Sequence, residues 1–227
     1  MVGEDTGMEI VKKYKAVIFD MDGTILNTIE DLLDATNYAL SRYGYPLHTV
    51  EEEYYFVGNG LYKTVERALP EGTGPEIVKE VHKTMVEYYK EHSEDKTAPY
   101  PGIVEVIKTL RAAGIHTAVV SNKADFAVKN LCLKFFADCF DESMGETEGF
   151  ALKPAPDMVE EVLRRIGVSK DEAVYVGDSN VDLQTAKNSG LDCIAVSWGF
   201  RGYEKLLEYG AEVIIDRPEE LIPYIYG

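Results

Sequence analysis

Residues 16–19 are four apolar positions, β-branched in part, that run straight into an acidic cluster. A short unbroken apolar run of this kind predicts a buried strand. Over residues 28–43 the period changes: Ile29, Leu32, Leu33, Ala39, Leu40 and Tyr43 fall on one helical face, Thr28 or Asn27 is placed to cap the start, and Gly44 and Pro46 stop the helix. Residues 51–56, 61–69 and 75–92 predict three more helices. The last carries Ile77, Val78, Val81, Met85, Tyr88 and Tyr89 on one side and Pro75 in its first turn, where no backbone N–H is needed. No strand is predicted between Thr24 and His92, and the polar, proline-containing stretch 92–102 predicts a linker.

Beyond it, helices and strands alternate. Helices are predicted over 103–113, 124–133, 157–166, 181–189 and 203–208, and strands over 117–120, 173–176, 193–196 and 212–215, with a further short apolar segment around 135–140. Strands separated by helices form a parallel sheet with right-handed crossovers. The predicted fold class is therefore α/β: a Rossmann-like parallel-sheet core of residues 1–27 and 94–227, with an all-helical domain, 28–93, inserted after the first strand. The chain shows no internal repeat and no low-complexity tract.

Composition narrows the function classes. A chain of 227 residues with 45% apolar content can bury a full core. It has no apolar run of the roughly eighteen residues a membrane helix needs, and residues 1–13 are polar and acidic with no secretory pattern, so a cytoplasmic protein without a membrane partner is expected. Three cysteines (Cys132, Cys139, Cys193) in apolar stretches read as buried thiols, and the four histidines lack zinc-ligand spacing. The net charge of -17 argues against nucleic acid as a partner. It also repels phosphorylated small molecules, so an enzyme acting on them must concentrate positive charge at one point.

Four clusters carry candidate chemistry, and three of them fall at or just past the C-terminal end of a predicted strand, the edge where open α/β sheets bind ligands. Asp20-Met21-Asp22-Gly23-Thr24 follows the first strand. A carboxylate there can attack phosphorus and form an acyl phosphate; a second can shuttle a proton to the leaving alcohol and from water; and the amides near Gly23 and Thr24 can face an anion. Asp-Gly is otherwise an ordinary turn. Ser121-Asn122-Lys123 follows the 117–120 strand; its hydroxyl can hold a phosphoryl oxygen, or Ser-Asn can simply cap a helix. Lys153, beside Pro154 and close to Pro156, is either a rigidly placed ammonium or a solvated loop lysine. Gly177-Asp178-Ser179-Asn180-Val181-Asp182 offers Asp178 as a hard oxygen ligand for Mg²⁺ and Asp182 one turn on to orient it, or reads as an acidic helix start.

In this order, DMDGT, SN, KP and GDSNVD, the chain resembles the haloacid dehalogenase superfamily of phosphatases over nearly its whole length, and the helical insert resembles that superfamily's cap. Val57-Gly58-Asn59-Gly60-Leu61 followed by Val65-Glu66-Arg67-Ala68-Leu69 is similar to the cap of phosphoglycolate phosphatases, although Gly58-Asn59-Gly60 also makes a helix–helix turn; Asn27 and Tyr62 depart from residues common in relatives. The resemblance implies a Mg²⁺-dependent hydrolase of small phosphorylated metabolites. Asp20 would be the nucleophile and Asp22 the acid/base, with Ser121 and Lys153 on the phosphoryl oxygens. The metal would sit on Asp20, Asp22 (through its carbonyl) and Asp178, with Asp182 behind it. Gly23, Thr24, Asn122, Gly58, Asn59 and Gly60 would contact substrate. A phosphomutase resembling β-phosphoglucomutase, or a phosphatase for sugar phosphates, pyrophosphate or nucleotides, fits the same motifs. A dehalogenase would not need Asp22, and a non-catalytic phosphate-binding protein would not need the full acidic set. Monomer and homodimer stay open.

Overall fold

The computed structural model describes residues 13–226. In chain order the elements are β1 (Ala16–Phe19), β2 (Leu26–Asn27), α1 (Ile29–Arg42), α2 (Val50–Phe56), α3 (Leu61–Ala68), α4 (Pro75–His92), β3 (Ala98–Pro99), α5 (Ile103–Ala112), β4 (His116–Ala124), α6 (Asp125–Phe135), β5 (Glu142–Glu146), α7 (Asp157–Ile166), β6 (Ala173–Gly177), α8 (Asn180–Ser189), β7 (Asp192–Val196), α9 (Gly202–Glu208), β8 (Ile214–Ile215) and α10 (Leu221–Tyr226).

Six strands form one parallel sheet in the order β5-β4-β1-β6-β7-β8. β1 lies inside it, with Phe19 level with Val119 on one side and Val176 on the other. Its run is apolar throughout because both faces are covered. Val17 and Phe19 pack with Ile103, Ile107 and Leu110 of α5. Ala16 and Ile18 pack on the opposite face with Met158, Val159 and Val162 of α7.

Between β2 and β3 the four helices α1–α4 build a third core of their own, in which Leu32, Ala39 and Leu40 meet Val65, Val81, Met85 and Tyr89. This is the all-helical insert expected from the helical periodicity, standing where the resemblance implies a cap. The chain leaves for it and returns from it side by side, because β2 and β3 pair antiparallel. The buried Asp31 carboxylate reinforces the junction by accepting from the backbone N–H of Lys96 and Thr97 and from the Thr97 hydroxyl at 2.7–3.1 Å.

Several details differ from the sequence expectation. Leu26–Asn27 is a strand, and the stretch expected to be a plain linker contains its partner. The strand after α6 is Glu142–Glu146 rather than the apolar segment 135–140. That segment packs under the sheet through Phe136 and Cys139, whereas β5 lies at an edge and buries only Met144 and Gly145. An edge strand with one neighbour does not need a continuous apolar run. Of the two residues placed to cap α1, Asn27 accepts the Ile29 N–H (3.4 Å), while the buried Thr28 hydroxyl has no partner. The polar start of the chain lies outside the described residues except for Lys13.

The cap also buries a carboxyl group. Glu53 accepts the Thr36 hydroxyl at 2.8 Å with one oxygen, and its other oxygen has no partner. Burial pushes Glu53 up to about 7 from an ordinary 4.5, with Thr36 and His48 opposing the rise. The folded state therefore holds a proton that the unfolded chain releases above about 4.5, so this group's stabilising contribution is lost as pH rises from there through 7, by at most about 3 kcal/mol. Glu53→Gln keeps the shape and cannot ionise. Thermal melts at pH 5 and pH 8 are expected to show a smaller drop in Tm for the variant than for the wild type; equal drops would exclude a buried proton on Glu53.

Candidate active site

The C-terminal ends of β1, β4 and β6 converge under the cap. Asp20 follows β1 directly, and its N–H donates to the Val176 carbonyl at 2.9 Å, so the sheet pairing runs one residue on and fixes its position. The chain then folds tightly: the Met21 carbonyl accepts from Thr24, Ile25 and Leu26. Gly23 sits at φ +85°, and a Cβ there would lie 2.5 Å from an Asp178 carboxylate oxygen, so both the backbone and the space demand glycine. Gly199 is pressed against Asp178 and the Gly23 carbonyl from the other side and has no more room for a side chain.

Lys153 is buried, which rules out the solvated-loop alternative. The peptide bond to Pro154 is cis. Asn122 holds the loop in place, accepting the Lys153 N–H at 2.7 Å and donating to the Lys153 carbonyl at 3.0 Å. The ammonium donates to Asp20 (2.7 Å), Asp182 (2.8 Å) and the Tyr175 hydroxyl (3.0 Å), which occupies all three of its protons. Burial works to discharge it, but Asp182 and Asp20 outweigh that and hold it well above the usual lysine range.

Asp182 uses its other oxygen as the third residue of a capping box, accepting from the Ser179 N–H and hydroxyl at 3.1 and 2.6 Å. The helix-start reading of this motif is therefore true of Asp182 as well as its place beside Lys153. Asp178 accepts the Phe200 N–H at 2.6 Å and the Thr24 hydroxyl at 3.5 Å.

One oxygen from each of Asp20, Asp178 and Asp182 falls within 4.8 Å of the others, all three residues being buried. Burial and then Asp182 raise both carboxyls, Asp178 to about 7 and Asp20 well above the usual range, against the pull of Lys153. Three buried carboxylates gather here beside one ammonium, which bonds Asp20 and Asp182 directly. The surplus negative charge and the hard oxygen donors suit a divalent cation such as Mg²⁺.

Asp22 points toward the cap, and both of its oxygens accept from Lys123, at 2.9 and 3.2 Å. Ser121 and Asn122 lie inside β4. The residue capping α6 is Ala124, with no side-chain bond, so the helix-cap alternative for Ser-Asn is corrected. β4 runs on past the sequence expectation and carries Ser121, Asn122 and Lys123 to the sheet edge.

The cleft is lined by Asp20, Asp22, Ser121, Lys153 and Asp178 from below and by Val57, Gly58, Gly60 and Leu61 from the cap. Gly23 and Thr24 are buried behind Asp178 and do not line it. Asn59 turns aside: its Oδ1 accepts from Arg67 at 2.7 Å, and it lines a neighbouring groove.

Four contributors escaped the motif reading. Lys123, beside Asn122, was visible as a charge at a strand end. Arg201 follows β7, another strand end, and donates to the carbonyls of Tyr54 and Val57 at the end of α2, with no carboxylate ion pair among the described residues. Tyr175 and Tyr89 carried no signal, because a tyrosine in a strand or on an apolar helix face is ordinary core.

The haloacid dehalogenase-like hydrolase profile matches residues 17–196. Phosphoglycolate phosphatase of Pseudomonas savastanoi pv. phaseolicola is 30% identical over 93% of this chain and 80% of its own, and that of Psychrobacter arcticus 31% over 92% and 94%. A crystal structure from Lactobacillus delbrueckii subsp. bulgaricus, of a protein assigned as a phosphoglycolate phosphatase, superposes with a TM-score of 0.91 at 42% identity, covering 95% of this chain and 99% of that one. The chain belongs to the haloacid dehalogenase-like hydrolase family.

Proposed function

We propose that the protein is a Mg²⁺-dependent phosphatase that hydrolyses small phosphate monoesters, phosphoglycolate first among them, through a phosphorylated Asp20. The convergence of Asp20, Lys153 and Asp178 in one cleft under a cap carries this reading, and the relatives' names support the substrate. Asp20 attacks phosphorus in line, and the bond from phosphorus to the ester oxygen breaks. Asp22 passes a proton to that oxygen as the alcohol leaves. Ser121 holds an equatorial phosphoryl oxygen, and Lys153 turns to another the proton it gives Asp20 once that carboxylate bonds phosphorus. Water then attacks the phosphorus of the aspartyl phosphate, Asp22 takes its proton, and phosphate leaves with Asp20 restored. Asp20, Asp178 and the Asp22 carbonyl would hold Mg²⁺, with Asp182 behind, and its charge would offset that of the incoming phosphate.

The cap, residues 28–93, opens and closes on the core (1–27 and 94–227) about the β2–β3 ribbon. Gly58 and Gly60 face the leaving group, and Arg201, which lines the cleft and has no carboxylate ion pair among the described residues, is a cation for an acidic one. The unpaired thiols of Cys132, Cys139 and Cys193 suit a reducing cytoplasm.

A panel of phosphate esters ranked by kcat/KM, with and without chelator, tests the reading. Phosphoglycolate is expected to lead sugar phosphates, pyrophosphate and nucleotides by about tenfold or more, and EDTA to stop turnover until Mg²⁺ is restored. Full activity in chelator, or a different ester class in front, would contradict it.

A further inference from the structure

Lys123 and Lys153 are the two buried lysines among the described residues, and the mechanism above gives Lys123 no task. Its ammonium bridges two parts of the molecule. On the core side it grips both oxygens of Asp22. On the cap side it donates to the Tyr89 hydroxyl at 2.6 Å and lies 4.7 Å from the centre of that ring. Tyr89 belongs to α4, is fully buried, and packs in the cap core with Val81 and Met85. A continuous hydrogen-bonded chain thus runs from the interior of the cap to the carboxylate read here as the proton donor.

The geometry suggests a division of labour. Asp22 keeps about a fifth of its side chain exposed, and nothing else among its described hydrogen-bond partners fixes the carboxylate. The flexible lysine stem is itself immobilised by Tyr89, through a hydrogen bond and a cation–π contact. A movement of the cap that carried α4 off the core would take that grip from Lys123 and leave Asp22 free to turn.

We propose that Lys123 is a positioning residue for Asp22, and that Tyr89 makes this positioning conditional on the cap being seated, so that the proton donor is aimed only in the closed enzyme. This rests on the reading of Asp22 as acid/base.

Leaving-group dependence tests it. An alkoxide needs a proton to depart, whereas p-nitrophenolate leaves readily without one, so damage to general-acid catalysis falls mainly on alkyl esters. Steady-state kcat and KM would be measured for Asp22→Asn, Lys123→Met and Tyr89→Phe on phosphoglycolate and on p-nitrophenyl phosphate. Lys123→Met is expected to lose on the order of tenfold more in kcat/KM on the alkyl ester than on the aryl ester, since kcat/KM reports phosphoryl transfer to Asp20 and not the later hydrolysis, which both esters share. Tyr89→Phe is expected to show the same bias, more weakly, and the double variant to be no worse than Lys123→Met, because Tyr89 acts through Lys123. Equal losses on both esters in Lys123→Met and Tyr89→Phe, with Asp22→Asn still selective, would overturn this inference and leave Asp22 in its role. An unselective Asp22→Asn would overturn both. Should Lys123→Met fail to fold, Tyr89→Phe, which removes a single oxygen, decides the matter alone.

Discussion

Asp20→Asn is expected to lose turnover by on the order of 10⁴-fold or more while the protein folds as before. The amide has the carboxylate's shape but is not a nucleophile toward phosphorus, and it offers a divalent cation no charge. The fold has little reason to notice. The Asp20 N–H still pairs with Val176, and a side-chain oxygen remains to accept from Lys153. Stability should hold or rise, because the substitution removes one of three buried carboxylates that repel each other, the one whose burial already raises its proton affinity well above normal. Activity assays alongside a thermal melt separate the two effects. A rate near that of the wild type would remove Asp20 as nucleophile, whereas a collapse of the melt would show that its charge is structural.

The second large effect is expected at Lys153, and there catalysis and stability should fall together. Lys153→Met leaves Asp20, Asp182 and the Tyr175 hydroxyl facing one another without their shared cation. Deleting one member of a buried ionic group costs about 3 kcal/mol or more, since the charges left behind are neither solvated nor paired. The loss of a cation from the phosphoryl oxygens should lower kcat by about 10²- to 10³-fold. Urea unfolding and kcat on one preparation would check both. A variant as stable as the wild type would mean that the buried ion triad contributes nothing net to the fold.

Much of this site could be read from the chain because each part coincides with a local pattern. β1 is a pure apolar run because it lies inside the sheet, and the residues that follow it, Asp20 to Thr24, announce their position by ending it. The long helices α4 and α7 show their buried faces at helical spacing and match the expected bounds. What stayed hidden belongs to tertiary pairing. β5 is an edge strand of mixed polarity, and the two-residue strands β2 and β3 exist only because the chain crosses twice at one place. Lys123 meets Asp22 across 101 positions and Tyr89 across 34, and no periodicity encodes such a meeting. Ser121 and Asn122 looked like a helix cap because their local chemistry is the same; only the extension of β4 to Ala124 separates the two readings.

The position of the covalent intermediate tests the account most directly. Enzyme and an equimolar phosphate ester would be mixed with Mg²⁺, quenched in acid within one turnover, reduced with borohydride to convert an acyl phosphate to an alcohol, and mapped by peptide mass spectrometry. The expected result is homoserine at position 20 and at no other aspartate. Phosphate released with every aspartate intact, or a label at Asp22 or Asp178 instead, would contradict it.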